Sequence, residues 1–339
     1  MPSQASPSRT WTPAVASAVA TVVDRASHID RASALRWTRD NGVYAALVLI
    51  IVYNVIFTPR FVTPENLNVQ LVLVTRVIVV ALGMALVIGT AGIDLSVGAV
   101  MALSGAILVQ VSGLTGIAAI AVALGVGALV GLMNGFLVGY VGIQPIVATL
   151  AFLFAGRSLA QLMLSGKNPS IRDSTILGVS SGSVLGVKGS IIAAAVVVAL
   201  AVFIVRRTSF GRQLLAVGDN ARASYLSGVP VRRTLIGVYI LSGLFAAWAG
   251  VMDTASITSA NALSSGLNYE LFAITAVVVG GTPLTGGRVR VMGTVAAAIL
   301  MQLLRSTLIF HSATDAVSQM VTAVVIVGAV YIQRTKARA

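Results

Sequence analysis

Long apolar runs recur along this chain, separated by short clusters of polar and charged residues. Ten of them stand out, near 42–58, 69–89, 94–112, 116–140, 144–164, 189–206, 231–253, 270–285, 291–310 and 315–333. As helix, at about 1.5 Å per residue, most are long enough to cross a hydrocarbon core about 30 Å thick. Helix is the default, because backbone groups in lipid must find partners within the segment itself. A β-barrel would need short alternating strands, whereas 191–204 is continuously apolar. The pattern predicts an all-α fold, a polytopic transmembrane bundle of about ten spans. Those near 94 and 270–285 are the most open to interruption, because Gly92, Gly280, Gly281, Pro283, Gly286 and Gly287 lie in or beside them.

Composition strengthens this picture. Hydrophobic residues make up 57 % of the 339 positions and charged ones only 10 %, against about 25 % in a soluble domain. Mean hydropathy is +0.95. Residues 95–156 carry no charge at all, a stretch about 90 Å long as helix. A soluble enzyme and a single-anchor protein are both excluded.

The sign of the few charges gives orientation. There are 23 Lys and Arg against 10 Asp and Glu, a net charge of +13. With ten spans, most of the basic residues fall on one side: Arg9, Arg25, Arg31, Arg36 and Arg39, then Arg206, Arg207, Arg212, Arg222, Arg232 and Arg233, then Arg288 and Arg290, and finally Arg334, Lys336 and Arg338. Arg60, Lys167, Arg172 and Lys188 fall on the other side, and Arg76, Arg157 and Arg305 lie within spans. The positive-inside rule makes the richer side cytoplasmic, with both termini inside. The chain then divides into a cytoplasmic arm (1–41), a membrane domain (42–333) and a cytoplasmic tail (334–339). The arm is no signal peptide, since its small-residue run at 14–23 leads into charged residues and then the first span. It fits either a weak amphipathic helix or disorder. The excess positive charge needs no nucleic-acid partner. Zero cysteines and two distant histidines, His28 and His311, offer no metal site.

The most informative polar stretch is 206–233. Gly218 is expected to break the preceding helix, Asp219 or Asn220 to cap a new one, and Gly228 to end it in a left-handed conformation with Pro230 close behind. The result is a cytoplasmic helix of about two turns at 219–228, with Ala221, Ala223 and Ser224 on a small surface and Tyr225 and Leu226 on an apolar ridge. It suits insertion into a groove of a partner. It equally suits a plain interfacial connection between two spans.

This segment resembles the coupling loop of ABC-importer permeases of the ribose/galactofuranose/xylose class, the type II-like carbohydrate importers. Gly211, Arg212, Ala216, Val217, Gly218, Asn220, Gly228 and Val229 match its pattern. Further matches follow in order: Gly92-Ile93-Asp94-Leu95-Ser96-Val97-Gly98, Asn134-Gly135, Gln144-Pro145-Ile146-Val147-Ala148-Thr149-Leu150, Tyr269-Glu270-Leu271, Val279-Gly280-Gly281-Thr282, Gly286-Gly287 and Gly293-Thr294. The resemblance is to the galactofuranose-type permease in particular, through the wording of 83–102 and the Arg-bearing N-terminus. The resemblance covers about 42–333. It implies a multi-pass protein of the bacterial cytoplasmic (inner) membrane that forms the path for a small sugar or polyol delivered by an extracytoplasmic solute-binding protein. It implies a second permease subunit, identical or a sister, and nucleotide-binding ATPase subunits that hold ATP and Mg. This chain would need no cofactor and catalyse no reaction. Coupling to the ATPase would fall to Gly211, Arg212, Gly218, Asp219, Asn220, Arg222, Ala223 and Gly228. One position departs: the family has Asp after Glu-Leu where this chain has Phe272.

Polar residues in and beside the spans are the candidates for the path: Asp94, Ser96, Asn134, Gln144, Thr149, Asn261 and Glu270, together with Phe272 at the position where the resemblance implies an Asp. Ionisable groups in lipid are costly and face a partner or a water-filled cavity. Asp94 fits either a helix break beside the path, held with Ser96, or the N-terminal turn of the third span, where the helix dipole favours an acid. Arg76 and Arg305 each suit an ion pair with Glu270 or Asp253, and Arg157 suits snorkelling to the outer interface. The neutral groups, with Gln161 and Gln302 among them, either bridge helices at about 0.6 kcal/mol each or meet a passing polyol. An aromatic share of 6 % argues for a conduit rather than a tight sugar pocket. Gly125, Gly127 and Gly131, with Asn134 and Gly135, read as a close helix–helix contact.

The neutral segment 254–268 fits a gate or re-entrant turn, or an ordinary loop. Arg60, Lys167, Arg172 and Lys188 could meet acidic patches of a binding protein, or simply be solvated. Residues 280–287 lack the Lys and spacing of a P-loop and read as a membrane turn, with a likeness to 89–98 too short to count as a repeat. Two other classes compete. An ion-coupled secondary transporter of a small polar solute would use Asp94 as its coupling acid, and an ABC permease could carry an amino acid instead. An integral-membrane enzyme is disfavoured by the lack of paired intramembrane carboxylates, a His cluster or a nucleophile elbow.

Overall fold

The computed structural model describes residues 42–327 except positions 112, 315, 318, 322 and 326. The arm at 1–41 and the tail at 334–339 lie outside the described residues. In chain order the helices are α1 (Gly42–Phe57), α2 (Pro64–Gly89), α3 (Val97–Gln110), α4 (Gly116–Phe136, followed by a π turn at Leu137–Val141), α5 (Pro145–Leu164), α6 (Ser174–Ser181), α7 (Gly189–Arg207), α8 (Ser209–Asp219), α9 (Ala221–Leu226), α10 (Val231–Ile257), α11 (Tyr269–Val279) and α12 (Val291–Phe310). A two-residue hairpin, β1 (Ser183–Val184) and β2 (Val187–Lys188), precedes α7. Short helical stretches follow within 316–327. Among the described residues six helices are long and apolar enough to cross a membrane, and α1, α3 and α11 are shorter apolar helices.

Local chemistry sets many of the ends. Thr63, Thr115, Asp173, Thr208 and Asn220 each accept a hydrogen bond from a first-turn amide of the helix they precede. Pro64 and Pro145 open α2 and α5, where a missing N–H costs nothing. Four boundaries differ most from expectation. The second span begins at Pro64 rather than 69. The third span begins at Val97 rather than 94. The eighth ends at Val279 rather than 285, because Gly280 and Gly281 turn the chain out of the helix. The seventh continues to Ile257.

The bundle is built around α2 and α10. The apolar stretch of α2 is 83 % buried, against 17 % for α5. α10 packs on α2, α3 and α4, and its contact with α4 is a glycine stripe. A Cβ on Gly127 would strike the Gly243 carbonyl, one on Gly131 would strike the Tyr239 carbonyl, and one on Gly135 would come within 2.7 Å of the Ile236 Cα. These glycines repeat every four residues and so share one helix face. Gly125 does not: open space surrounds it, so its expected part in the contact is wrong. Residue 125 falls off the four-residue repeat of 127, 131 and 135.

The helices α2 and α11 end alike. After α2, the Ala91 amide donates to the Ile88 carbonyl (2.9 Å) and the Gly92 amide to the Val87 carbonyl (3.1 Å). After α11, Gly281 donates to Val278 (2.9 Å) and Thr282 to Val277 (3.1 Å). Ala91 and Gly281 both have positive φ, +61° and +89°. Each is a Schellman closure that satisfies carbonyls left over at a helix end. The likeness of the two glycine-rich segments is therefore structural as well as verbal.

The glycine stripe predicts a sharp contrast. Gly131→Val should lower the thermal midpoint in detergent strongly, by the equivalent of about 1–3 kcal/mol for an overpacked contact, whereas Gly125→Ala should leave it unchanged. Equal effects of the two substitutions would contradict the packing described.

Candidate transport and coupling sites

The chain between α2 and α3 is a break without helix, and Asp94 holds it. Asp94 is 1 % exposed. Its Oδ1 accepts from the Ser96 amide (3.0 Å) and hydroxyl (2.6 Å), and its Oδ2 accepts from the Ser242 hydroxyl of α10 (2.7 Å). Asn134 Nδ2, on α4, donates to Ser96 Oγ (3.0 Å). Thr149 Oγ1, on α5, accepts from the Leu95 amide (3.0 Å) and lies 2.9 Å from the Pro145 carbonyl. Four predicted residues, Asp94, Ser96, Asn134 and Thr149, are thus brought together. Asp94 does not cap α3: the N-cap residue is Ser96, which makes no side-chain capping bond. The carboxylate instead closes a turn ahead of the helix and ties it to α10. Ser242 was not anticipated, although a hydroxyl in the apolar run of α10 was its signal. Tyr239 lies one turn before it, with its hydroxyl close to Gly92. Among the described residues the Tyr239 hydroxyl and Asn134 Oδ1 are buried without a hydrogen-bond partner.

At the far end of α3 and α10, charge pairs as follows. Arg76 of α2 forms a buried ion pair with Asp253 of α10, which resolves the pairing left open by the sequence. Asp253 Oδ2 also accepts from the Ser265 hydroxyl (2.6 Å), anchoring the segment between α10 and α11. Arg305 lies over the Phe272 ring, 5.6 Å from its centroid, and Tyr269 meets Phe272 edge-on at 6.3 Å. An aromatic face here receives the guanidinium.

Arg157 does not snorkel. It donates to the carbonyls of Ala262 (3.3 Å), Ser265 (3.3 Å) and Gly266 (3.1 Å), because the 258–268 segment folds back over α5 and offers it these acceptors. Asn261 shapes that same segment, its Oδ1 accepting from the Leu263 and Ser264 amides at 3.0 Å each. The segment is more than a slack loop: it also pairs with 169–171, through Ile171 to Thr258 (2.9 Å) and Ala260 to Pro169 (3.1 Å). Glu270 stands in the first turn of α11, its Oε2 buried where a Cβ on Gly98 would sit. Gln144, exposed at the start of α5, is apart from all of these.

In the segment between α7 and α10, α8 and α9 form a corner. Gly218 does not break α8 but lies inside its last turn. Its role is contact: a Cβ there would collide with the Gly89 carbonyl and the Gly287 amide, and the Gly287 amide itself donates to the Gly89 carbonyl (3.0 Å). Three glycines, from the end of α2, the end of α8 and the turn before α12, therefore meet. Gly211 is buried at the α7–α8 corner against the Ile204 and Val205 carbonyls. Asn220, not Asp219, caps α9, accepting from the Ala223 amide (2.9 Å). Gly228 ends it at φ +81° as expected. Tyr225 and Leu226 are 71 % and 77 % exposed, and Arg212, Asp219, Arg222 and Ala223 are exposed around them.

With helix breaks inside a bundle and a capped, exposed two-helix corner seated on them, the molecule has the build of a membrane permease. The chain belongs to the family described as branched-chain amino acid transport system / permease component, which matches residues 67–330. It is similar to the galactofuranose transporter permease protein of Escherichia coli strain K12, 37 % identical over 308 residues, 88 % of this chain and 90 % of that one. It is similar also to the ribose import permease protein of Bacillus subtilis strain 168, 36 % identical over 300 residues (87 % and 92 %), and to the fructose import permease protein of Bifidobacterium longum strain NCC 2705, 36 % identical over 242 residues (69 % and 67 %). No solved structure matches it significantly. The resemblance read from the motifs is upheld, and the ion-coupled alternative is not favoured.

The Arg76–Asp253 pair predicts a large, asymmetric effect. Asp253→Ala strands a buried guanidinium and should cost about 3–5 kcal/mol in thermal unfolding, while Arg76→Leu combined with Asp253→Leu should recover most of that loss. A double variant no better than the single one would refute the pairing.

Proposed function

We propose that this chain is the path-forming permease subunit of an ATP-driven importer of a small sugar or polyol in the bacterial cytoplasmic membrane. In this reading it has ten spans, both termini inside, and two permease subunits build one path. A solute-binding protein delivers the substrate from outside, and ATP and Mg are held by separate nucleotide-binding subunits. The chain itself carries no P-loop sequence. The sugar class rests on the fructose, galactofuranose and ribose for which the relatives are named and on the motif wording at 83–102.

The observation that carries the mechanism is the meeting of Gly218 with Gly89 and Gly287. The exposed ridge of Tyr225 and Leu226 on α9 would seat in a groove of the ATPase subunit. When those subunits close on ATP, α8 and α9 move as one corner, since Asn220 serves both the end of α8 and the start of α9. With no side chain between them, the displacement reaches the ends of α2 and α11–α12 together. Those are the two broken helices, and residues at the ends of elements are the ones that absorb backbone change in a hinge. The Asp94 cluster lies on one of them. Its unpartnered neighbours, Tyr239 hydroxyl and Asn134 Oδ1, leave hydrogen-bonding capacity for a second arrangement of the same groups. Gln144, Asn261, Glu270 and Phe272 are assigned to the rest of the path.

Reconstitution tests this directly. The chain, its ATPase subunit and its binding protein in proteoliposomes should take up labelled sugar only with ATP. Tyr225→Asp with Leu226→Asp should abolish both uptake and co-purification of the ATPase subunit while leaving the thermal midpoint within a few degrees. ATP-independent uptake by the chain alone, lost in Asp94→Asn, would reject this function.

A further inference from the structure

A cavity of about 530 Å³ opens at the same end of the bundle as the α8–α9 corner but beside it, between the start of α1, the end of α7 and the turn before α12. Tyr44, Arg206, Leu215, Arg288, Arg290 and Met292 are among its lining residues. Three of these are arginines, and no Asp or Glu lines it. Asp219 lies against Gly287, outside the lining. Arg206 and Arg288 are exposed, so their guanidinium groups are available to a ligand entering the cavity. The chemistry selected is a phosphate monoanion: guanidinium forks match its oxygens in pairs.

The surroundings say what carries that phosphate. Val196, Leu200 and Phe203 of α7 are 62 %, 43 % and 56 % exposed. Their spacing puts them on one helix face; Arg207 continues that face one turn beyond Phe203, and Arg206 lies beside it, about 90° round the helix. The face is thus apolar along its length and basic at the tip. Tyr44 adds an amphipathic ring at the cavity, the residue type that settles at headgroup depth. A free anion would use the arginines and leave the apolar face idle. A lipid uses both.

We propose that this cavity is a binding site for the headgroup of an anionic phospholipid, with the phosphate between Arg206 and Arg288 and an acyl chain along Val196, Leu200 and Phe203. The site rests on neither the sugar nor the ATPase assignment, and it is tested without them. Phosphatidylglycerol and phosphatidylcholine are added in equal amounts to the full chain in mild detergent, and retained lipid is counted by native mass spectrometry. Wild type should retain phosphatidylglycerol preferentially, and Arg206→Gln with Arg288→Gln should cut that preference by about fivefold per arginine removed. Lys167→Gln with Lys188→Gln, basic residues of the β1–β2 side, should leave it unchanged, and Phe203→Ser should weaken retention of both lipids. Displacement of the lipid by millimolar inorganic phosphate would mark a free-anion site and overturn the proposal. So would undiminished preference in the double arginine variant, whether or not that variant loses the ATPase subunit; such a loss would mark the basic cavity as a protein interface.

Discussion

Backbone amides and carbonyls released from a helix inside a membrane have no water to turn to, and each one left unpaired costs several kcal/mol. This protein interrupts its helices twice within the bundle, after α2 and after α11, and the rest of the structure follows from keeping those interruptions satisfied. The two Schellman closures return carbonyls to their own helices. What they leave over is taken up laterally: Leu95 by Thr149, Gly89 by Gly287, and Asp94 by Ser96 and Ser242. The partners come from α5 and α10 as well as the breaks themselves, so the breaks also fix how those helices sit. A break satisfied from several helices is one whose geometry those helices can change together.

Close approach is the second consequence. A backbone can satisfy another backbone only if no side chain intervenes. Gly287 donates to Gly89 for that reason, and the absence of side chains likewise lets Gly218 close on both and the 127–131–135 stripe close on α10. The same device packs two long helices in one place and joins three chain segments in the other. What distinguishes them is exposure: the stripe is buried between two long helices, whereas Gly218 connects at once to Asn220 and the exposed α9 ridge. At the opposite end the tie is ionic instead. Arg76 and Asp253 lock α2 to α10, Ser265 joins the 258–268 segment to that pair, and Arg157 reaches the same segment from α5. α5 otherwise packs chiefly on α3, and this clasp gives it a second tie.

Much of this was legible in the residues themselves. Among the described residues hydropathy located the long apolar helices to within about six positions, since burial in lipid leaves a continuous signal that does not depend on neighbours. Asn220 and Gly228 were legible as helix ends, because a cap is made within four residues of sequence. Gly218 was not: a glycine near a helix end reads as a breaker, and only its contact with Gly89 and Gly287, far away in the chain, gives it a different purpose. Asp94 was visible as a costly buried acid, but its partner Ser242 lies 148 residues away.

The sequence by itself therefore determined that this is a helical membrane protein, where its long apolar helices run, and its permease family. These are properties of period, composition and local capping, and they need no knowledge of which helix lies beside which. The tertiary structure alone decided which arginine meets which aspartate, that Arg157 holds a loop rather than reaching for the interface, and that one glycine contact joins the corner at 209–226 to both helix breaks. Pairing across the bundle depends on approach distances between distant segments, and a linear pattern of apolar and polar positions does not encode them one residue at a time.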